Sequence, residues 1–176
     1  VGWLSMLEAA LLAAGLMLAT GCISGGVARR SPDWQVLVVI AASFGIGAAL
    51  QNTGVAALFA DILIDLAGGR PWPTLVMVFA VTALFSAVAT NNVAAVLVFP
   101  IALAAAESMQ VSILPFAVTI MVAASASFAT PIGYQTNLMV YSAGGYRFTD
   151  FVRIGVPLTL LVGAVCVVLV PFVWSF

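Results

Sequence analysis

Apolar residues fall along this chain in long unbroken runs, without the alternation of a half-buried strand. Four stretches free of charge, 9–28, 34–60, 108–146 and 154–176, can each cover a hydrocarbon core of roughly 30 Å, which takes about 20 helical residues. A fifth, 71–106, is also uncharged but is interrupted near its middle by three adjacent polar residues, Thr90, Asn91 and Asn92. Continuous runs rich in Ala, Leu, Val and Met fit helices, since a lipid-facing barrel strand must alternate apolar and polar positions. The pattern predicts an all-α integral membrane protein.

Breaker residues divide it further. A first span over 4–20 ends at "GCISGG", where paired glycines oppose helix, and the loop "VARRSPDW" closes a first region, 1–33. Pro32 is placed to start the next helix, with Trp34 at interface depth. The second region, 34–67, holds a span over 35–50 and, after "QNTG", a more polar helix over 55–67 with Asp61 and Asp65 at i and i+4, expected to lie along the membrane surface. In 71–106 the arms 72–88 and 93–106 reach only about 25 and 21 Å at 1.5 Å per residue, short of a core of roughly 30 Å. They predict a re-entrant helical hairpin whose tip, "ATNN", stops inside the membrane. Non-helical backbone persists there only if it is buried in protein or lines a wet cavity. Region 111–142 is a third full span, broken near Thr130 by Pro131 and Gly133 and resuming at Gln135 or Thr136. An interfacial segment, 143–155, leads to the last span, 156–176. About four transmembrane helices and one re-entrant hairpin result.

Composition narrows the class. The 176 residues are 64% hydrophobic and 6% charged, with no Lys and no His, too apolar for a solvated surface. Net charge is −1, so there is no footprint for nucleic acid. Without His or Lys a serine nucleophile lacks its usual base, no pair of acids lies inside a span, and a catalytic metal lacks ligands, so an enzyme reading fares badly. Cys22 and Cys166, far apart in separate apolar segments, read as small core residues and not as a disulfide. Arg29, Arg30, Arg147 and Arg153 fall on one side of this topology and only Arg70 on the other, so the positive-inside rule puts the four in the cytoplasm and the hairpin entrance outside. Val1 is not an initiator Met and no signal peptide follows it, so the expectation is a fragment of a longer protein.

Two interrupted elements at membrane depth, "VATNNVA" and "FATPIGYQTN", meet the pattern of transporters, whose sites lie where broken helices expose backbone groups. Helix N-termini offer N–H donors to an anion, and unwound carbonyls offer oxygen to a cation. Asn91 can supply a carbonyl oxygen to Na⁺, while Thr90 and Asn92 can donate to sulfate or carboxylate oxygens. Neutral donors release an anion readily, and sodium then supplies the compensating charge. The competing reading makes Thr and Asn interhelical glue, worth about 1 kcal/mol per contact. It suits an isolated Thr, and it suits Ser125 and Ser127 as small residues that let helices approach; the adjacent asparagines with a second break downstream favour a site. Tyr134, Gln135, Thr136 and Asn137 stand between the two readings, and Asp61 and Asp65 read as a solvated face.

From "GCISGGVARRSPDWQVLVVIAASFGIGAALQNTG" through "ATNNVAAVLVFPIALA" to "ASFATPIGYQTNLMVYSAGGYRFTDFVRIGVPLTLL", the chain resembles the C-terminal half of the divalent anion:sodium symporter family, within the ion transporter superfamily. The resemblance implies one of two inverted repeats, each with a re-entrant hairpin bearing a Ser-Asn-Thr type tip, moving in an elevator-like way. It implies Na⁺ as coupling ion with no organic cofactor, a sodium site from Ser86, Ala89, Asn91 and Gly133, and substrate contacts from Thr90, Asn91, Asn92, Gln135 and Thr136. Its partners would be a small anion, the bilayer, the N-terminal half of the same transporter and a second copy. Thr-Asn-Asn in place of Ser-Asn-Thr, and "PIGYQTN" in place of a more proline-rich break, point to the sulfate permease-like branch. The function so implied is sodium-coupled symport of a small divalent anion, sulfate or a di- or tricarboxylate, across the cytoplasmic membrane. Alternatives are an arsenite-like efflux permease of the same superfamily and a non-transporting membrane anchor or assembly subunit.

Overall fold

The structure, a computed structural model, describes residues 5–32 and 34–176, without the side chains of Met6, Gln35, Val36, Ser43 and Gln135. Its elements are helical: α1 (Met6–Ala19), α2 (Gly25–Arg30), α3 (Trp34–Asn52), α4 (Val55–Leu66), α5 (Pro71–Val88), α6 (Asn91–Ser108), α7 (Leu114–Ser125), α8 (Gln135–Ala143) and α9 (Phe148–Val173). Residues 1–41 and 42–176 form two compact units.

In the first unit Ser5 and Glu8 start α1 with a reciprocal capping box. Where glycines predicted a break, Ser24 accepts a hydrogen bond from Val27 N–H and Gly25 and Gly26 become the first turn of α2. Ser24 satisfies a donor that the new helix would otherwise leave open, which offsets the poor propensity of glycine. Cys22 is exposed and not a core residue, whereas Cys166 is buried.

In the second unit Gly54, at φ 75°, turns the chain from the end of α3 into α4. One face of α4 buries Ala56, Ala60 and Leu63, and Asp61 and Asp65 stay exposed. Leu63, Leu75, Val78, Val98, Ala102, Phe116 and Ile120 form a core shared by α4, α5, α6 and α7. A second cluster, with Phe79, Ala123, Cys166, Val167 and Val170, joins α5 and α7 to α9. In lipid the cohesion of such clusters comes from close packing, because acyl chains are as apolar as leucine. Gly163 is one place where packing demands glycine: a Cβ there would stand 2.6 Å from the Phe79 ring. Outside these clusters large apolar side chains such as Leu84, Met121, Leu160 and Phe172 are exposed, as a lipid-facing surface requires.

Among the described residues three helices, α5, α6 and α9, are long and apolar enough to cross a membrane, with the bent α3–α4 pair a fourth candidate. The arms of the expected hairpin are longer than the sequence indicated, 18 residues each, or about 27 Å. α5 begins one residue earlier, at Pro71, where a missing N–H costs nothing, and Asn91 and Asn92 belong to the first turn of α6, so the tip shrinks to Ala89 and Thr90. The span broken by Pro131 parts earlier than expected. α7 ends at Ser125 after only 12 residues, and the chain is unwound from Ala126 to Tyr134 before α8 begins at Gln135. Pro131 cannot donate to the Ser127 carbonyl four residues back, and it disfavours helix at Thr130. The expected interfacial segment 143–155 is in part helix: α9 starts at Phe148, behind a cap in which Asp150 accepts from Arg147 N–H, and runs through Pro157 and Pro171.

Candidate functional site

The last turn of α5, the first turn of α6 and the unwound chain after α7 converge. Thr90 is the N-cap of α6, its hydroxyl accepting from Val93 N–H at 3.4 Å. With Thr90 so engaged, the half-buried Asn91 reaches the break, and Asn92 is exposed in the first turn of α6. One terminal atom of the Asn91 carboxamide lies 3.0 Å from Ser127 Oγ and 3.1 Å from each of Ser86 Oγ, Ala124 O and Gly133 O. Its neighbours identify it as Nδ2, since a carbonyl oxygen there would face acceptors on the Ala124 and Gly133 sides.

The rest of the cluster is oxygen. The Ser86 hydroxyl donates to Ala124 O at 2.5 Å and touches Ser127 Oγ; Ser127 Oγ is also 3.1 Å from Ala124 O. Ser86 and Ser127 are buried, as is Gly133. Only glycine fits at 133, where a Cβ would stand 2.6 Å from Ser86 O. α5 and α7 bring their carbonyl ends here and α6 its amide end, so negative and positive helix termini meet in one place.

Side chains take over the backbone bonds that the break gives up. Thr130 Oγ1 donates to Ala87 O at 2.5 Å and accepts from Gly133 N–H at 3.2 Å, tying the break to the end of α5. Asn137, on α8, reaches back with Nδ2 to Ser127 O at 3.0 Å and Thr130 O at 3.2 Å, replacing the donor that Pro131 lacks. From α9, Thr159 Oγ1 donates to Ala126 O at 3.2 Å. Among the described residues no buried side-chain nitrogen or oxygen is without a partner.

Of the residues expected around sodium, Ser86, Asn91 and Gly133 are in contact. Ala89 is the C-cap of α5, its N–H returning to Phe85 O at 2.8 Å, and takes no part in the hydrogen bonds of the cluster. Of those expected at the anion, Thr90 caps α6 and Asn91 points into the oxygen cluster, with Asn92 and Thr136 exposed; the Gln135 side chain lies outside the described residues. Ser127 and the Ala124 carbonyl are the members that sequence reading missed. Ser127 sits in "ASAS", indistinguishable from a small-residue packing stretch; its place four residues before Pro131 was the available signal.

The match to known proteins is extensive. The model of the citrate transporter family covers residues 1–176. The chain belongs to that family. Similar proteins include the "Probable sodium/sulfate cotransporter 3" of Chlamydomonas reinhardtii, 42% identical over 157 residues, 88% of this chain and 18% of that protein. The "Uncharacterized transporter YfbS" of Escherichia coli (strain K12) is 41% identical over 169 residues, 96% of this chain and 28% of that one. A further relative, the "Uncharacterized transporter sll0640" of Synechocystis, is 41% identical over 161 residues, 90% of this chain and 26% of that protein. The chain thus spans 18–28% of the length of these three relatives. Family and relatives are transporters, not enzymes, and the apolar helices make this a multi-pass membrane protein.

Proposed function

We propose that this chain is the C-terminal repeat of a symporter that moves a small divalent anion, sulfate or a di- or tricarboxylate, across the cytoplasmic membrane with sodium. The observation that carries the reading is the meeting of Ser86, Ala124, Ser127 and Gly133 oxygens around the Asn91 carboxamide, uncharged and mostly buried. Oxygen donors from carbonyl, amide and hydroxyl groups suit a hard cation. With the Asn91 oxygen turned inward the set is Asn91 Oδ1, Ser86 Oγ, Ser127 Oγ and the carbonyls of Ala124 and Gly133.

The anion is then held beside the sodium, at the N-terminus of α6, by the free N–H groups of the first turn and by Asn92. Thr90 and the opening turn of α8, with Gln135 and Thr136, complete its surroundings. α5 and α6 act as a re-entrant hairpin; the support for this is the polar tip, since 18-residue arms are also long enough to cross. Arg29, Arg30, Arg147 and Arg153 lie on the cytoplasmic side. The N-terminal half of the transporter supplies an inverted counterpart, and two copies form the working unit.

Uptake of radiolabelled sulfate, citrate and succinate into vesicles, with the full-length protein and an imposed Na⁺ gradient, tests this. Saturable uptake of one of these anions that collapses when choline replaces Na⁺ is expected. Uptake indifferent to Na⁺ removes the coupling, outward flux of arsenite alone favours an efflux permease, and no flux of any oxyanion favours an anchor.

A further inference from the structure

The carboxamide of Asn91 has two ends, and the cluster around it treats them oppositely. With Nδ2 inward, two amide protons and two serine hydroxyl protons face Ser86 Oγ, Ser127 Oγ, Ala124 O and Gly133 O, all at 3.0–3.1 Å from the nitrogen. The Ser86 hydroxyl gives its proton to Ala124 O at 2.5 Å, so Gly133 O depends on the amide. With Oδ1 inward, only the two hydroxyl protons remain. A third carbonyl oxygen then faces Ala124 O and Gly133 O at 3.1 Å with too few protons between them. Lone pairs at that separation in a buried site repel, and the arrangement is unfavourable unless a positive charge enters. The two orientations therefore sort by the presence of a cation.

We propose that the NH₂ group of Asn91 is a built-in stand-in for sodium: it holds the oxygens together while the ion is absent, and the amide turns over to present Oδ1 when the ion arrives. This rests on the sodium reading above and adds to it a second role for Asn91, that of keeping the ion-free site assembled. The tip of the hairpin and the break then stay joined through Nδ2 in the ion-free protein, so that the carrier returns empty without its oxygens opening onto lipid. The same device sets selectivity, because an entering ion must repay the amide hydrogen bonds it displaces.

The test uses full-length protein in detergent at alkaline pH, with choline replacing Na⁺ at constant ionic strength. Asn91→Asp keeps an inward oxygen and removes the NH₂ group. Its apparent Tm in choline should fall several degrees below that of the wild type and recover in Na⁺, giving a larger sodium-dependent shift. In parallel, side-chain ¹⁵N-asparagine spectra of the wild type follow exchange of the Asn91 NH₂ protons, assigned by their loss in whichever of Asn91→Asp and Asn91→Ser inserts. Exchange should be roughly tenfold slower in choline than in Na⁺, the loss of about one net hydrogen bond's protection. If the wild type shows no sodium-dependent shift, the sodium reading falls and this proposal with it. If the wild type responds to sodium but Asn91→Asp melts like wild type in choline, or the amide protons exchange equally in both salts, the stand-in role alone is overturned.

Discussion

At the scale of single residues, Gly133 carries the tightest constraint in the site. A Cβ at that position would press on Ser86 O at 2.6 Å and on the Ser127 side chain at 3.0 Å, and both neighbours are buried. Neither can give way without moving an oxygen of the proposed sodium site. Gly133→Ala should therefore weaken sodium dependence of uptake by roughly 10–100-fold while membrane insertion is unchanged, the size of effect seen when groups supporting an ion site are displaced. The measurement is the Na⁺ concentration for half-maximal uptake, with insertion followed by surface labelling; an unaltered half-maximal concentration contradicts the assignment. Ser127→Ala leaves the backbone in place and removes one hydroxyl donor, so it should shift the same concentration by a smaller factor, with unchanged anion affinity in saturating Na⁺. The two differ in size because a Cβ at Gly133 displaces several oxygens at once, whereas Ser127→Ala removes a single one.

At the scale of elements, α9 is a buttress for the broken span. Gly155 admits the unwound chain so closely that a Cβ there would lie 2.0 Å from Phe128 O and 2.7 Å from Ala129 Cα. One turn later Thr159 donates to the carbonyl of Ala126, the C-cap residue of α7. Thr159→Val keeps the shape and removes the donor, leaving a partly buried carbonyl unpaired at a cost of about 1–3 kcal/mol. The variant should lower the apparent Tm and weaken sodium affinity together, and Thr159→Ser should restore both. A loss of stability with sodium affinity intact would show that α9 supports the fold without positioning the site.

At the scale of the whole molecule, the open quantity is the depth of the Ala89–Thr90 tip. The start of α5 and the end of α6 lie on the same membrane face whether the two helices enter and return or each cross completely, so the arginine distribution is identical in both cases. Thr90→Cys, in a background with the exposed Cys22 replaced by Ser, separates them. A mid-membrane tip lining a wet cavity should react with a small polar thiol reagent, be protected by Na⁺ with substrate, and resist a bulky impermeant one. Rapid reaction with the bulky reagent, unaffected by Na⁺, would place the tip at a membrane surface.

Helical class, membrane residence and the location of both interruptions were legible from the residues alone, because each depends on local chemistry: apolar run length, the donor that Pro131 lacks, and polar residues with no charge to balance. Family membership was also legible, since it resides in the order and spacing of "ATNN" and "ATPIGYQTN". Where helices end was less so. Pro131 indicated a break near Thr130, but α7 stops at Ser125, where Ser86 and Thr159, distant in sequence, supply hydrogen bonds to the Ala124 and Ala126 carbonyls as the backbone leaves the helix early. That Ser127 belongs to the site, that Thr90 serves α6 as a cap, and which end of Asn91 faces the oxygens are decided only in three dimensions. Hydrogen-bond partners more than thirty residues apart are set by how helices pack, and no local pattern in the chain encodes which of many small polar residues will meet.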